Sequence, residues 1–183
     1  MLFLVLELCG FSLHRTQVTL SHNSADGSGG GLFNGGTTNL TNTIIANSTG
    51  LDCVLNSGGI NVKFNNLIED GSCNPSLSGN PNLGILTNNG GATNTHALIA
   101  GSIAIDGGNN AETVGLLFDQ RGSAFDRIVN GTVDIGAFEV QPTSVPESSS
   151  LIPLVIIALG GFSRRPKLKP NWLCSETLPK FTK

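Results

Sequence analysis

The sequence predicts an all-β fold built as a β-solenoid of short strands, and three observations carry that expectation. The 183 residues include 24 Gly, and each Gly costs a helix interior about 1 kcal/mol relative to Ala. Residues 21–95 show no apolar period of helical spacing. Short runs of Leu, Ile and Val alternate there with clusters of Gly, Asn, Ser and Asp, the pattern of strands and turns. Third, the middle of the chain repeats. Leu20-x-x-Asn23-Ser24 is matched by Ile44-x-x-Asn47-Ser48 at a step of 24, Gly30-Gly31-Leu32 is echoed by Gly58-Gly59-Ile60, and residues 64–71 read as another strand and turn. A period in the low twenties marks stacked coils. The length fits one ordinary domain with tails.

Taken in order, residues 1–17 resemble a signal peptide weakly. They lack a basic n-region, Glu7 interrupts the apolar run, and no small-x-small site follows. A truncated reading frame explains them equally well. Residues 18–85 form the coils, with Leu20, Leu40, Ile44, Leu67 and Ile68 filling a narrow core. Asn suits the corners because it tolerates the left-handed region. Low-complexity disorder is the competing reading, and the regular Leu, Ile and Phe argue against it.

Residues 86–141 break this rhythm and are expected to cap the C-terminal end of the coils. Asn88-Asn89-Gly90-Gly91 reads as a tight turn, 95–99 as a strand, 100–102 as a turn, 103–106 as a strand and 133–140 as a last strand. Asp106, Asp119, Asp126, Asp134 and Glu139 flank Arg121 and Arg127. Two arginines among five acids predict ion pairs that hold Gly-rich loops together. Residues 142–150 are a linker, 151–163 a short apolar helix and 164–183 a disordered basic tail.

Charge is divided along the chain. Residues 1–163 carry four bases and twelve acids, a net of −8, whereas 164–183 carry six bases and one acid, a net of +5. An acidic body, an apolar run and a basic end fit the positive-inside rule, with the tail cytoplasmic and the body outside. The overall charge of −3 points to no nucleic-acid partner. The apolar run of twelve residues is short of the ~20 that span a bilayer, so it suits a transient membrane stay. In an exported body Cys53 and Cys73, 20 residues apart, form a disulfide; in a reducing compartment they remain two thiols. No C-x₂-C pair is present, so neither zinc nor another cofactor is expected.

The segment Val145-Pro146-Glu147, the apolar run to residue 162 and the bases Arg164, Arg165 and Lys167 together resemble the PEP-CTERM sorting signal of Gram-negative bacteria. Ser148 stands where that family usually has Pro, and the chain runs on to Lys183. The resemblance implies recognition and cleavage by an exosortase-like enzyme, then release or attachment at the cell surface.

A second resemblance covers about residues 18–141. Asn88-Asn89-Gly90-Gly91-x-Thr93-x-Thr95-His96-Ala97-Leu98, Gly101-Ser102-x-Ala104-Ile105-Asp106, Asp119-Gln120-Arg121-Gly122 and Asp134-Ile135-Gly136-Ala137-Phe138-Glu139 are similar to the choice-of-anchor Q domain. That domain ends right-handed parallel β-helix surface proteins. Ile103 and Ala124 stand where it commonly has Pro, and Gly107 where it has Ala. The resemblance implies the C-terminal fragment of such a β-helix with an irregular β cap.

Parallel β-helices also host polysaccharide lyases and hydrolases, whose sites need clustered carboxylates with a base or metal on one face. The coils offer Asp26, Asp52, Glu69, Asp70 and the lone base Lys63; Asp26 and Asp52 read more simply as turn formers, and Glu69-Asp70 as solvated acids rather than a weak calcium site. His96, beside Thr95 and near Asp106 in sequence, is the sharpest catalytic candidate, yet no nucleophile motif accompanies it. The expectation is therefore a non-enzymatic, adhesin-like or matrix-associated surface protein that meets extracellular glycan or matrix. The alternative is a remnant of a polysaccharide-active enzyme. Two or three turns with an open first coil are also expected to self-associate around residues 18–20.

Overall fold

In the structure, a computed structural model, three strands recur in sets, and each strand pairs with the one three places later. The structure describes residues 5–6, 12–26, 29–56, 60–62 and 65–142, all within one compact unit, Met1–Ser144. The linker, Val145, Pro146, Glu147, the apolar run, Arg164, Arg165 and the tail lie outside the described residues, as does most of 1–11.

The strands are β1 (Val5–Leu6), β2 (Ser12–Thr16), β3 (Thr19–Ser21), β4 (Leu32–Asn34), β5 (Thr37–Thr41), β6 (Ile44–Ala46), β7 (Cys53–Leu55), β8 (Ile60–Val62), β9 (Leu67–Ile68), β10 (Leu83–Thr87) and β11 (Thr95–Leu98). Among the described residues the helical content is one short 3₁₀ turn, Asn110–Thr113, so the fold is all-β. Three parallel sheets run β1-β4-β7, β2-β5-β8 and β3-β6-β9; β10 and β11 form an antiparallel pair.

The register corrects the sequence repeat by one residue. Thr19, not Leu20, pairs with Ile44, and Ile44 pairs with Leu67, steps of 25 and 23. A one-residue slip moves every side chain to the other face of a strand. Here it sets Leu20 beside Ile45 and Ile68 in one buried cluster, with Leu32, Leu40 and Cys53. Ile44, Ala46 and Leu67 face outward into a second core with Leu98, Ala104 and Ile135. Both faces of β6 are therefore buried, which is why its sequence is an unbroken apolar run rather than an alternating one. Ile44, Ile45, Leu67 and Ile68 are all fully buried, each worth about 1.5–3 kcal/mol.

The corners are held in the left-handed region. Gln17, Asn42 and Asn65 have φ of 58°, 46° and 55° just before β3, β6 and β9, and His22 and Asn47 have 56° and 57° just after β3 and β6. Asn fills three of these five positions because its short side chain lowers the cost of that conformation. The Asn side chains do a second job. Asn42 accepts from Asn109 N–H at 2.8 Å and donates to Asn109 O at 3.0 Å; Asn65 donates to Gly107 O at 2.7 Å.

Those bonds place the segment after β9 differently from the expected cap. The C-terminal edge of the third sheet is covered by residues 69–79: Ile68 N–H donates to Leu77 O, Leu77 N–H to Asn66 O and Gly79 N–H to Glu69 O. Beside β7, Cys53 N–H donates to Ser72 Oγ at 2.9 Å, and a disulfide joins Cys53 to Cys73. Residues 83–140 lie along the flank of the third sheet instead. Gly136 N–H donates to Asn42 O at 2.8 Å and Ala137 N–H to Thr19 Oγ1 at 3.1 Å. The reason is the outward apolar face of β6 and β9, which needs cover along its length.

Two expected strands are absent. Residues 103–106 form consecutive turns, with Ile105 N–H on Ser102 O, Gly107 N–H on Ala104 O and Asp106 at φ 53°. Residues 133–140 are bent at Gly136, whose φ is 100°. A Cβ there would sit 2.6 Å from Thr19 Oγ1 and 2.8 Å from Ile44 Cδ1. The apolar alternation that suggested a strand comes from Ile135 and its neighbours packing on β6 one at a time.

Candidate functional site

Without a strand ladder, the backbone amides of residues 106–140 need other partners, and buried carboxylates supply them. Asp134 accepts from Asp106 N–H and Val140 N–H, both at 2.7 Å. Glu139 accepts from Asp134 N–H at 2.9 Å and Val129 N–H at 3.1 Å. Asp119 accepts from Arg121 N–H at 2.7 Å and Glu139 N–H at 2.9 Å. All three acids are buried.

Two arginines pair with two of these acids. Arg121 donates through Nε and Nη2 to Asp119 Oδ2 at 2.9 and 2.6 Å, and through Nη2 to Glu139 O. Its guanidinium lies 3.8 Å from the ring centres of both Phe125 and Phe138. Arg127 donates to Glu139 Oε2 at 2.9 Å and Asp134 O at 3.2 Å, while its Nε has no hydrogen-bond partner. Burial pushes the Glu139 carboxyl up to about 7 and raises Asp134, and burial lowers Arg127 against the pull of Glu139. Asp106 and Asp126 form no ion pair among the described residues.

The turn Asn88-Asn89-Gly90-Gly91 is built around Arg121. Gly90 N–H donates to Asn88 Oδ1 at 2.8 Å, and Asn89 Nδ2 donates to Thr95 O at 2.8 Å. Gly90 and Gly91 leave room for neighbours: a Cβ would stand 2.6 Å from Phe125 at the first and 2.6 Å from Arg121 Cα at the second. Gln120 donates to Thr93 Oγ1 at 2.9 Å, and Gly122 turns the chain at φ 102°. The structure thus gathers Asn88, Asn89, Gly90, Gly91, Thr95, Asp119, Gln120, Arg121, Gly122 and Glu139 into one cluster. Asp134 and Gly136 join it through the backbone of 134–140.

His96 is elsewhere. Its Nδ1 donates to Gly84 O at 2.7 Å, and its ring stacks on His22 with centroids 5.5 Å apart. Neither Thr95, which bonds Asn89, nor Asp106 serves it. The two imidazoles line an open groove of about 700 Å³ together with residues 19–23 and 83–86. His22 escaped the sequence reading because only the flank docking brings it to a residue 74 positions away. Phe125, which sandwiches Arg121, escaped for the same reason.

Asp52, Asp70 and Glu69 are likewise engaged. Asp52 accepts from Ser48 N–H at 3.1 Å and Asp70 N–H at 3.3 Å; Asp70 accepts from Asp52 N–H at 2.9 Å and Ser72 N–H at 2.9 Å; Glu69 accepts from Asn47 N–H at 2.7 Å. Burial opposes ionisation of Asp70, but its bonds from Ser72 and Asp52 hold the carboxyl below its ordinary value. Among the described residues no three His, Cys, Asp or Glu side chains group so as to hold a metal ion, and no helix there is long and apolar enough to cross a membrane.

Comparison with known proteins finds no matching family model, no similar curated protein and no similar solved structure.

Proposed function

We propose that the chain is the C-terminal part of a non-enzymatic, exported surface protein with a right-handed parallel β-helix, adhesin-like or matrix-associated. The observation that carries this reading is how the polar side chains of 86–141 are used. Asp119, Asp134, Glu139, Arg121 and Arg127 bind one another and the chain's own backbone, which is the work of a fastening rather than of a reaction centre. Parallel ladders at steps of 23–25 residues in the third sheet support the β-helix. The Cys53–Cys73 disulfide supports an oxidising destination.

On this reading Val145-Pro146-Glu147 and Arg164-Arg165 are read by an exosortase-like enzyme while residues 151–163 dwell in the membrane, and the released body meets extracellular glycan or matrix. The test is expression of the full chain in a Gram-negative host with and without its exosortase. Mass spectrometry of the surface fraction should show a body shortened after about residue 147 only when the exosortase is present. An unprocessed chain retained in the cytosol in both strains refutes the reading.

A further inference from the structure

Asn is followed by Gly three times in this chain, at 34–35, 89–90 and 130–131. Without a Cβ on the second residue, the Asn side-chain amide can approach the next backbone nitrogen closely. At two of the three pairs that amide is held elsewhere. Asn34 is buried; its Nδ2 donates to Gly36 O at 2.8 Å, and its Oδ1 accepts from Gly36 N–H at 3.2 Å and Thr38 Oγ1 at 2.9 Å. Asn89 is half-buried, and its Nδ2 donates to Thr95 O at 2.8 Å and to Thr95 Oγ1 at 3.1 Å. Neither side chain turns onto its own backbone without breaking these bonds.

The third pair differs in every respect. Val129 bridges Thr132 antiparallel, so Asn130 and Gly131 make a two-residue turn. Their φ angles of 56° and 93° are those of the primed turns that such hairpins favour. Both residues are exposed. Among the described residues neither the Asn130 side chain nor Gly131 N–H has a hydrogen-bond partner.

We propose that Asn130 is a site of self-modification by water, at which the folded chain converts the amide to aspartate and isoaspartate and so loosens its own buried ion-pair network. Gly131 N forms a bond to Asn130 Cγ; the bond from Cγ to Nδ2 breaks, and the side-chain nitrogen leaves as ammonia with the proton that Gly131 N gives up. The product is a succinimide ring. Water then adds at one of its two carbonyl carbons. Opening between Cγ and the ring nitrogen restores the normal backbone with Asp at 130; opening between the backbone carbon and that nitrogen leaves the chain running through Cγ as isoaspartate. No electrons are transferred, and water is the sole co-reactant. The second product lengthens a two-residue turn, which undoes the pairing of Val129 with Thr132. That turn is tied to the network: Val129 N–H donates to Glu139 Oε1 at 3.1 Å, Gly131 O accepts from Asn110 Nδ2 at 2.8 Å, and Asn110 Oδ1 accepts from Val133 N–H at 2.9 Å. Both products also set a carboxylate one residue from the amide that Glu139 holds, and like charges there oppose each other.

Ageing the purified full chain in mildly alkaline buffer, followed by peptide mass spectrometry, tests the assignment. The mass gain of amide-to-acid conversion should appear at Asn130 at least about tenfold faster than at Asn34 or Asn89, whose bonds must open first. In concentrated urea, where all three are free, the rates should converge. The aged chain should contain isoaspartate, read by methyl transfer from S-adenosylmethionine with an isoaspartyl methyltransferase, and should unfold at lower urea than the fresh chain. Asn130→Gly keeps the turn, because Gly accepts positive φ, and should abolish both the conversion and the loss of stability on ageing. Equal rates at the three sites in the folded chain, or an aged, converted chain as stable as the fresh one, overturns the proposal. No step of export enters these measurements, so they succeed or fail independently of the sorting experiment.

Discussion

Replacing Arg121 by Ala should be among the most damaging single changes in the flanking segment. The side chain is 5 % exposed and its partner Asp119 fully covered. Removing the guanidinium strips Asp119 of its only ion pair among the described residues and leaves the carboxylate with two backbone amides, those of residue 121 and Glu139. Breaking a buried pair from one side costs about 3–5 kcal/mol. The loss of stacking between Phe125 and Phe138 adds about 0.5–2 kcal/mol. The remaining bonds to Asp119 and some collapse of the two rings offset part of this, so about 3–5 kcal/mol is expected in total, a fall in midpoint of roughly 10 °C or more for a unit of this size. Arg121→Lys keeps the charge but neither the bidentate fork nor the planar stacking, and should lose about half as much. Urea denaturation of the parent and both variants, followed by tryptophan-independent far-UV dichroism, reads these differences. A loss under about 1 kcal/mol for Arg121→Ala would show that the network does not fasten the segment.

Three further outcomes follow from the same contacts. Thiol titration of the oxidised, denatured chain should find two reactive thiols among the four Cys, and reduction should cost about 2–4 kcal/mol; four thiols before reduction would remove the disulfide. Gly136→Ala should destabilise by about 1–3 kcal/mol, because its Cβ would meet Thr19 and Ile44 at a φ of 100°; an unchanged denaturation midpoint would contradict the tight docking of 136 on β6. Burial raises Glu139 from 4.5 to about 7 on folding, so its contribution is complete below about pH 4.5 and is lost as pH rises through about 7. Asp134 is raised in the same sense. The thermal midpoint should fall between about pH 4.5 and 7 and level off above that, and Glu139→Gln should remove most of that slope; a parent with a flat profile across that window would refute it.

The sequence by itself determined the local chemistry. Gly and Asn density argued against helices through residues 21–95, and Asn42, Asn47 and Asn65 do stand at left-handed corners, because that preference belongs to the residue and needs no distant partner. The arginines and acids of 119–139 were legible as a pairing set, since so few charges occur in this chain. Only the tertiary structure decided the register. Leu20 and Ile44 look equivalent in the repeat, yet Thr19 pairs with Ile44, because the choice depends on which of two adjacent apolar residues faces the interior. It also decided that 83–140 lies on the flank, that 133–140 is bent rather than extended, and that His22 meets His96. The physical reason is common to all of these. A short strand with apolar residues on both faces has two surfaces to bury, and what covers the outer one is selected by shape across the whole molecule, not by the pattern within the strand.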